Sequence, residues 1–81
     1  MLDCILIFNS IHRVMKAESI LKKEGLKFRL IPTPRSLTSD CGLAIEMNGK
    51  DIEEFKKVLS KGGVKIAEAH VESGKFFSRL F

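Results

Sequence analysis

Apolar residues recur along this chain with two periods, one typical of strands and the other typical of helices. Five apolar residues at positions 4–8 are too few for a buried helix and predict a central strand. Residues 11–24 have the helical period, with Asn9 or Ser10 as the N-terminal cap and Gly25 as the C-terminal cap. The face that we expect to be buried comprises Ile11, Val14, Met15, Ala17, Ile20 and Leu21.

Three more strands and one helix follow. Residues 26–31 alternate apolar and charged positions, which predicts an edge strand that Pro32 and Pro34 end, because proline cannot donate to a ladder. Residues 43–47 predict a third strand. The next helix follows an Asn-Gly turn, and its expected buried face comprises Ile52, Phe55, Val58 and Leu59. Residues 64–71 predict a fourth strand. Its alternation of apolar and polar positions shifts by one residue between Ile66 and Ala69, which indicates a bulge or an edge position.

This order of elements predicts an α+β fold of the ferredoxin-like βαββαβ type. Its four-stranded antiparallel sheet has the order 4-1-3-2, with two helices on one face. We predict one domain at residues 1–72 and an apolar tail at 73–81. The three phenylalanines of the tail favour packing on the domain's own core. The alternatives are a self-association surface that makes a homodimer and a peptide that docks on a partner.

Composition narrows the functional classes. The chain has 81 residues, of which 44% are hydrophobic and 30% charged, as in a soluble domain. It has no apolar run long enough for a membrane helix, and residues 4–8 are too short for a signal peptide, so we expect a cytoplasmic protein without membrane contact. Residues 10–35 carry seven Lys/Arg against Glu18 and Glu24, a surplus that permits contact with an anion or an acidic partner. Nucleic-acid binding is not expected, because the outward sheet face lacks stacking aromatics.

The loop at residues 33–42 is the longest run without helix or strand periodicity, and it ends in Cys41. In the expected topology the first strand ends where the third begins. The loop should therefore lie beside Ser10 and His12, at the first turn of the first helix. Cys4 belongs at the other end of the first strand, roughly 13 Å away, so no disulfide is expected.

A cysteine reacts as the thiolate, and its pKa falls near helix N-termini and cations. The free helix amides, His12 and Arg35 would stabilise a thiolate at Cys41, whereas Asp40 would oppose it unless it caps the loop. Such a thiolate could attack a sulfur or selenium donor and carry a persulfide. The alternative is that Cys41 is a small buried residue that starts a strand. Neither histidine has metal-ligand spacing with a cysteine, so no metal and no cofactor are expected.

Two motifs, Ile-Pro-Thr-Pro-Arg at 31–35 and Ser-Asp-Cys-Gly at 39–42, together with residues 6–12 and 17–22, resemble the selenium/sulfur (Se/S) carrier-like family of small bacterial domains. The resemblance covers about residues 4–70. It implies that the thiol of the Asp-Cys-Gly motif carries the cargo. The candidate residues are Cys41 as the reactive thiol, with Ser10, His12, Arg35, Ser39, Asp40 and Gly42 around it. Ile11 departs from the family pattern, where a small polar residue is expected.

The leading hypothesis is therefore a carrier or accessory protein rather than a true enzyme. Cys41 would accept sulfur or selenium as a persulfide or perselenide from a donor protein and pass it to an acceptor protein. The alternative is a small-anion-binding or regulatory interaction module in which Cys41 is structural. The sequence does not distinguish sulfur from selenium.

Overall fold

The computed structural model describes the backbone at residues 2–35, 37, 42–73 and 76–80, and the side chains at the same positions except 73 and 76–78. The elements in chain order are β1 (Cys4–Ile7), α1 (Ile11–Lys23), β2 (Phe28–Pro32), β3 (Leu43–Met47), a short 3-10 helix (Gly49–Asp51), α2 (Ile52–Lys61), β4 (Glu68–Ser73) and β5 (Phe76–Arg79). Up to β4, this is the order of strands and helices that the apolar periodicity predicts.

All paired strands are antiparallel, and the sheet has the order β2-β3-β1-β4-β5. The predicted fold class is confirmed, because the order 4-1-3-2 is the same sheet read from its other edge. One core joins both helices to one sheet face, and its largest fully buried members are Leu6, Phe8, Val14, Leu21, Ile45, Met47, Phe55 and Leu59. Both helices therefore cover the same face.

The fourth strand begins later than the sequence predicts, and it is not an edge strand. Val64 and Ile66 are buried in the core, but residues 64–67 form no strand. The first hydrogen bond to β1 is donated by the Ala67 N–H to the carbonyl of Ile7 (2.9 Å), and β4 begins at the next residue, Glu68. The apolar pattern at 64–67 reflects burial in the connection between α2 and β4, because this connection packs into the core without forming a strand.

The apolar tail contributes β5, which pairs with the outer side of β4. The Leu80 N–H also donates to the carbonyl of Ala69 (2.6 Å). The backbone of the tail thus folds back on the domain. Leu80 itself is 48% exposed, and the phenylalanine side chains lie outside the described residues. Self-association through the tail stays a prediction.

Helix α1 is capped as expected but buries a narrower face. Ser10 is the N-cap, and its hydroxyl accepts from the backbone N–H of Arg13 (3.3 Å). The buried residues of α1 are Val14, Ala17 and Leu21. Ile11 and Met15 are 39% and 52% exposed, so the prediction that they are buried is wrong. At 3.6 residues per turn they lie about 90–120° around the helix from the centre of the buried stripe.

Candidate functional site

One edge of the sheet gathers the start of α1 and both ends of the β2–β3 loop. Leu6 pairs with Ile45 in the antiparallel register, so β1 ends where β3 begins. At the loop's base, the Thr33 N–H donates to the carbonyl of Gly42 (3.0 Å). The helix that follows β1 begins at the same edge, with Ser10 as its cap. We call this region, at residues 9–12, 33–35 and 42, the thiol edge.

The structure places four of the seven candidate residues. Ser10 caps α1, and His12 is exposed in its first turn. Gly42 is exposed just before β3, and Arg35 is exposed in a turn of the loop. The remaining candidates lie outside the described residues; they are Ser39, Asp40 and Cys41. The placement of these three therefore stays a prediction.

Gly42 has a backbone conformation that other residues rarely adopt. Its φ is +76°, in the left-handed region, and a Cβ built there would contact nothing within 4 Å. A side chain would therefore be strained by the backbone rather than by crowding. The turn into β3 thus requires glycine directly after Cys41.

Leu37 attaches the loop to the sheet face that the helices leave open. It packs in a small cluster with Ile5, Ile7 and Ala44, and its own side chain is buried. Its N–H also donates to the carbonyl of Pro34 (2.9 Å). Leu37 therefore lies against the open face. The sequence contained one signal for this contact: Leu37 is the only large apolar side chain in residues 33–42.

A buried histidine lies on the same open face. His70 is opposite Ile5, and Glu68 is opposite Ile7, so both are beside the Leu37 cluster. His70 is only 8% exposed, and its Nε2–H donates to Glu68 Oε1 (2.8 Å). This hydrogen bond lowers the pKa of Glu68, and the nearby Arg79 lowers it further. Sequence reasoning missed this pair because it considered His70 only as a metal ligand.

The thiol edge is electropositive. The first turn of α1 has no acidic residue, although the helix dipole places partial positive charge there. Instead it presents His12 and Arg13, both exposed, while Arg35 is exposed in the neighbouring loop. The two arginines near the N-terminus of α1 raise the electrostatic potential, which favours an anion at this edge.

Cys4 is a contrast to the candidate thiol. It is a free cysteine in the core, opposite Met47 and Val71 at the far end of β1. Burial, with a smaller effect from the charge of Asp3, raises the pKa of Cys4 to about 11, although a backbone hydrogen bond from Ile5 opposes the shift. Burial and the raised pKa both disfavour the thiolate of Cys4, so Cys4 is a core residue rather than a second candidate thiol.

Within the described part of the chain, no three His, Cys, Asp or Glu side chains are close enough together to hold a metal ion. No described helix is long and apolar enough to cross a membrane.

A protein-family model described as "Putative Se/S carrier protein-like" matches residues 3–71. The matched span includes every candidate residue from Ser10 to Gly42, and it agrees with the resemblance seen in the motifs. No curated protein and no solved structure gives a significant match.

Proposed function

Because the chain belongs to the Se/S carrier protein-like family, we propose that it accepts sulfur or selenium on the thiol of Cys41 and passes it to an acceptor protein. The observation that carries this proposal is the family match, which spans the Asp-Cys-Gly motif at 40–42. The family description supplies the cargo, and the motif supplies the thiol. A free thiol of this kind fits the reducing cytoplasm.

The proposed transfer is a thiol exchange that balances without an added oxidant. The Cys41 thiolate attacks the terminal sulfur of a persulfide on the donor protein. A sulfur–sulfur bond forms at Cys41, and the donor's sulfur–sulfur bond breaks, so that the donor leaves as a thiolate. The same exchange with a terminal selenium would leave a perselenide on Cys41. Attack by an acceptor thiolate on the terminal atom reverses the sequence and regenerates the Cys41 thiolate.

The electropositive edge supports this chemistry. Gly42, which follows Cys41, lies at the edge where α1 begins. The uncompensated N-terminus of α1, together with His12 and Arg35, favours an anion there. A thiolate and a bound persulfide are both anions, so the same field would promote attack and stabilise the carried group.

Incubating the protein with a cysteine desulfurase and cysteine is expected to add the mass of one sulfur atom, read by intact-mass spectrometry. A parallel reaction of a selenocysteine lyase with selenocysteine tests selenium. Cys41→Ala should take up neither atom, and Cys4→Ala should take up as much as the unchanged protein, because Cys4 is buried with a raised pKa. Equal uptake by Cys41→Ala, or no uptake by any variant, would overturn the proposal.

A carrier also needs a surface for its donor. Ile11 and Met15 are exposed, one helical turn apart on α1, and Ile11 belongs to the thiol edge. The same helix presents Arg13, Lys16 and Lys22 to solvent. An exposed apolar pair on a helix of net positive charge fits an acidic protein surface that carries an apolar side chain. We therefore assign these two residues to the docking of the donor protein.

Replacing both residues, Ile11→Ala with Met15→Ala, is expected to slow sulfur transfer from the desulfurase by about tenfold, the order of one lost apolar contact at a small interface. The measurement is the rate of mass gain at limiting donor concentration. Reaction of Cys41 with iodoacetamide should be unchanged by Met15→Ala alone, because Met15 lies outside the thiol edge. The control is Glu53→Ala, an exposed site on α2 outside this face of α1. An equal loss in both assays would assign the effect to the fold instead of docking.

A further inference from the structure

An open cavity of about 460 Å³ lies where α2 leads into β4. It is lined by Lys56, Ser60, Gly63, Val64, Lys65 and Ile66. Its volume is within the range of about 300–1,000 Å³ that is usual for small-molecule sites.

The cavity combines an apolar floor with a cationic rim. Val64 and Ile66 are buried, whereas Lys56 and Lys65 are exposed at the rim beside the hydroxyl-bearing Ser60. None of the six lining residues is acidic. A third ammonium group comes from α1, since a Cβ built on Gly63 would lie 3.9 Å from Lys16 Nζ.

The cavity opens at the same sheet edge as Ser10 and Gly42. The connection that lines it ends at Ala67, whose N–H donates to the carbonyl of Ile7, and β4 then starts with Glu68 opposite Ile7. Because β3 and β4 flank β1, their ends at this edge are about 10 Å apart. Gly42 directly precedes β3 and therefore lies near the start of β4.

We propose that this cavity binds a small organic anion, with a carboxylate or a phosphate between Lys65, Lys16 and Ser60 and an apolar body on Val64 and Ile66. A bound anion would accept charge-assisted hydrogen bonds from the ammonium groups of Lys65 and Lys16, which are stronger than those between neutral groups. Contact with Val64 and Ile66, which line the cavity, then adds affinity that a purely ionic ligand cannot obtain. The site is independent of the carrier chemistry, because none of its residues belongs to the thiol edge.

The test is an NMR titration of the full chain with phenyl phosphate and, separately, with benzoate, followed at the backbone amides of Ser60, Gly63 and Lys65. Saturable shifts are expected for at least one of the two anions, and the stronger of them identifies the preferred head group. Benzyl alcohol and inorganic phosphate, which each lack one half of the ligand, should bind at least about tenfold more weakly. Equal binding of either one would overturn the proposal.

Lys65→Gln is expected to weaken binding of the preferred anion by about tenfold, the effect of losing one charge-assisted hydrogen bond. Lys57→Gln is the matched control, because Lys57 is an exposed lysine of α2 that does not line the cavity. Equal effects of the two variants would mean that only the overall charge attracts the anion. Cys41→Ala should bind as the unchanged protein does, so that a failure of this site and a failure of the carrier proposal are told apart.

Discussion

Leu21→Ala is expected to lower the free energy of unfolding by about 3–5 kcal/mol, whereas Met15→Ala should lower it by less than about 0.5 kcal/mol. Both residues lie on α1 at positions where the apolar pattern predicts burial. Leu21 is fully buried in the core, and Met15 is 52% exposed. Truncation of Leu21 removes apolar contacts and leaves a cavity in the core. Truncation of Met15 removes few contacts and leaves no cavity, because the side chain is half exposed.

Urea denaturation followed by circular dichroism measures both variants. The pair is closely matched, since leucine, methionine and alanine all have high helix propensities and the two sites share one helix. For a domain of 81 residues, a loss of about 3–5 kcal/mol is a large part of the total stability. Equal losses at the two positions would contradict the orientation of α1 over the sheet.

Stability is expected to fall between pH 9 and pH 11 because of Cys4. The ordinary pKa of the thiol is 9.0, and burial raises it to about 11 in the folded protein. In this window the unfolded chain releases the proton while the folded protein retains it. The free energy of unfolding therefore decreases by up to about 1.4 kcal/mol per pH unit, or about 2–3 kcal/mol over the window.

The measurement is urea denaturation at several pH values in a Cys41→Ser background, which removes the other thiol. The lysines also titrate here, but they are present in every variant. Adding Cys4→Ala should remove the fall of up to about 1.4 kcal/mol per pH unit between pH 9 and pH 11. The smaller side chain also changes the stability itself, but by the same amount at every pH. If the slopes with and without Cys4 are the same, the thiol ionises as readily in the folded protein as in the unfolded chain.

Local sequence patterns are sufficient for most of the elements. The strands at 4–8 and 43–47 were predicted within one residue of β1 and β3, because a short apolar run and an alternating run are local signals. Both ends of α1 were predicted for the same reason. Ser10 satisfies a free N–H of the first turn, and Gly25 has a φ of +69°, which glycine adopts readily.

The sequence was less reliable for the orientation of α1. Ile11 and Met15 continue the apolar stripe of Val14 and Leu21, so the helix has an apolar arc wider than the surface that covers it. Which part of the arc is buried depends on where the helix axis lies over the sheet. That position is set by side chains far away along the chain.

The candidate site was predictable in outline, because topology follows from the order of elements. An antiparallel β1–β3 pair places Ser10 and Gly42 at one edge whatever the exact loop conformation. By contrast, the contact of Leu37 with the open face and the Glu68–His70 hydrogen bond join residues that no local pattern relates. The cavity beside α2 likewise depends on lysines from two helices and a connection.

The sequence by itself determined the elements from β1 to α2 and their order, the cysteine-bearing motif and the family. These depend on period, capping residues and motif, all of which involve neighbours within a few residues. Only the tertiary structure decided which apolar residues are buried, that the tail adds a fifth strand, that Leu37 attaches the loop to the open face, and that an open cavity with a lysine rim lies at the same edge. The physical reason is that burial and electrostatic potential are sums over residues brought together by folding, whatever their separation along the chain.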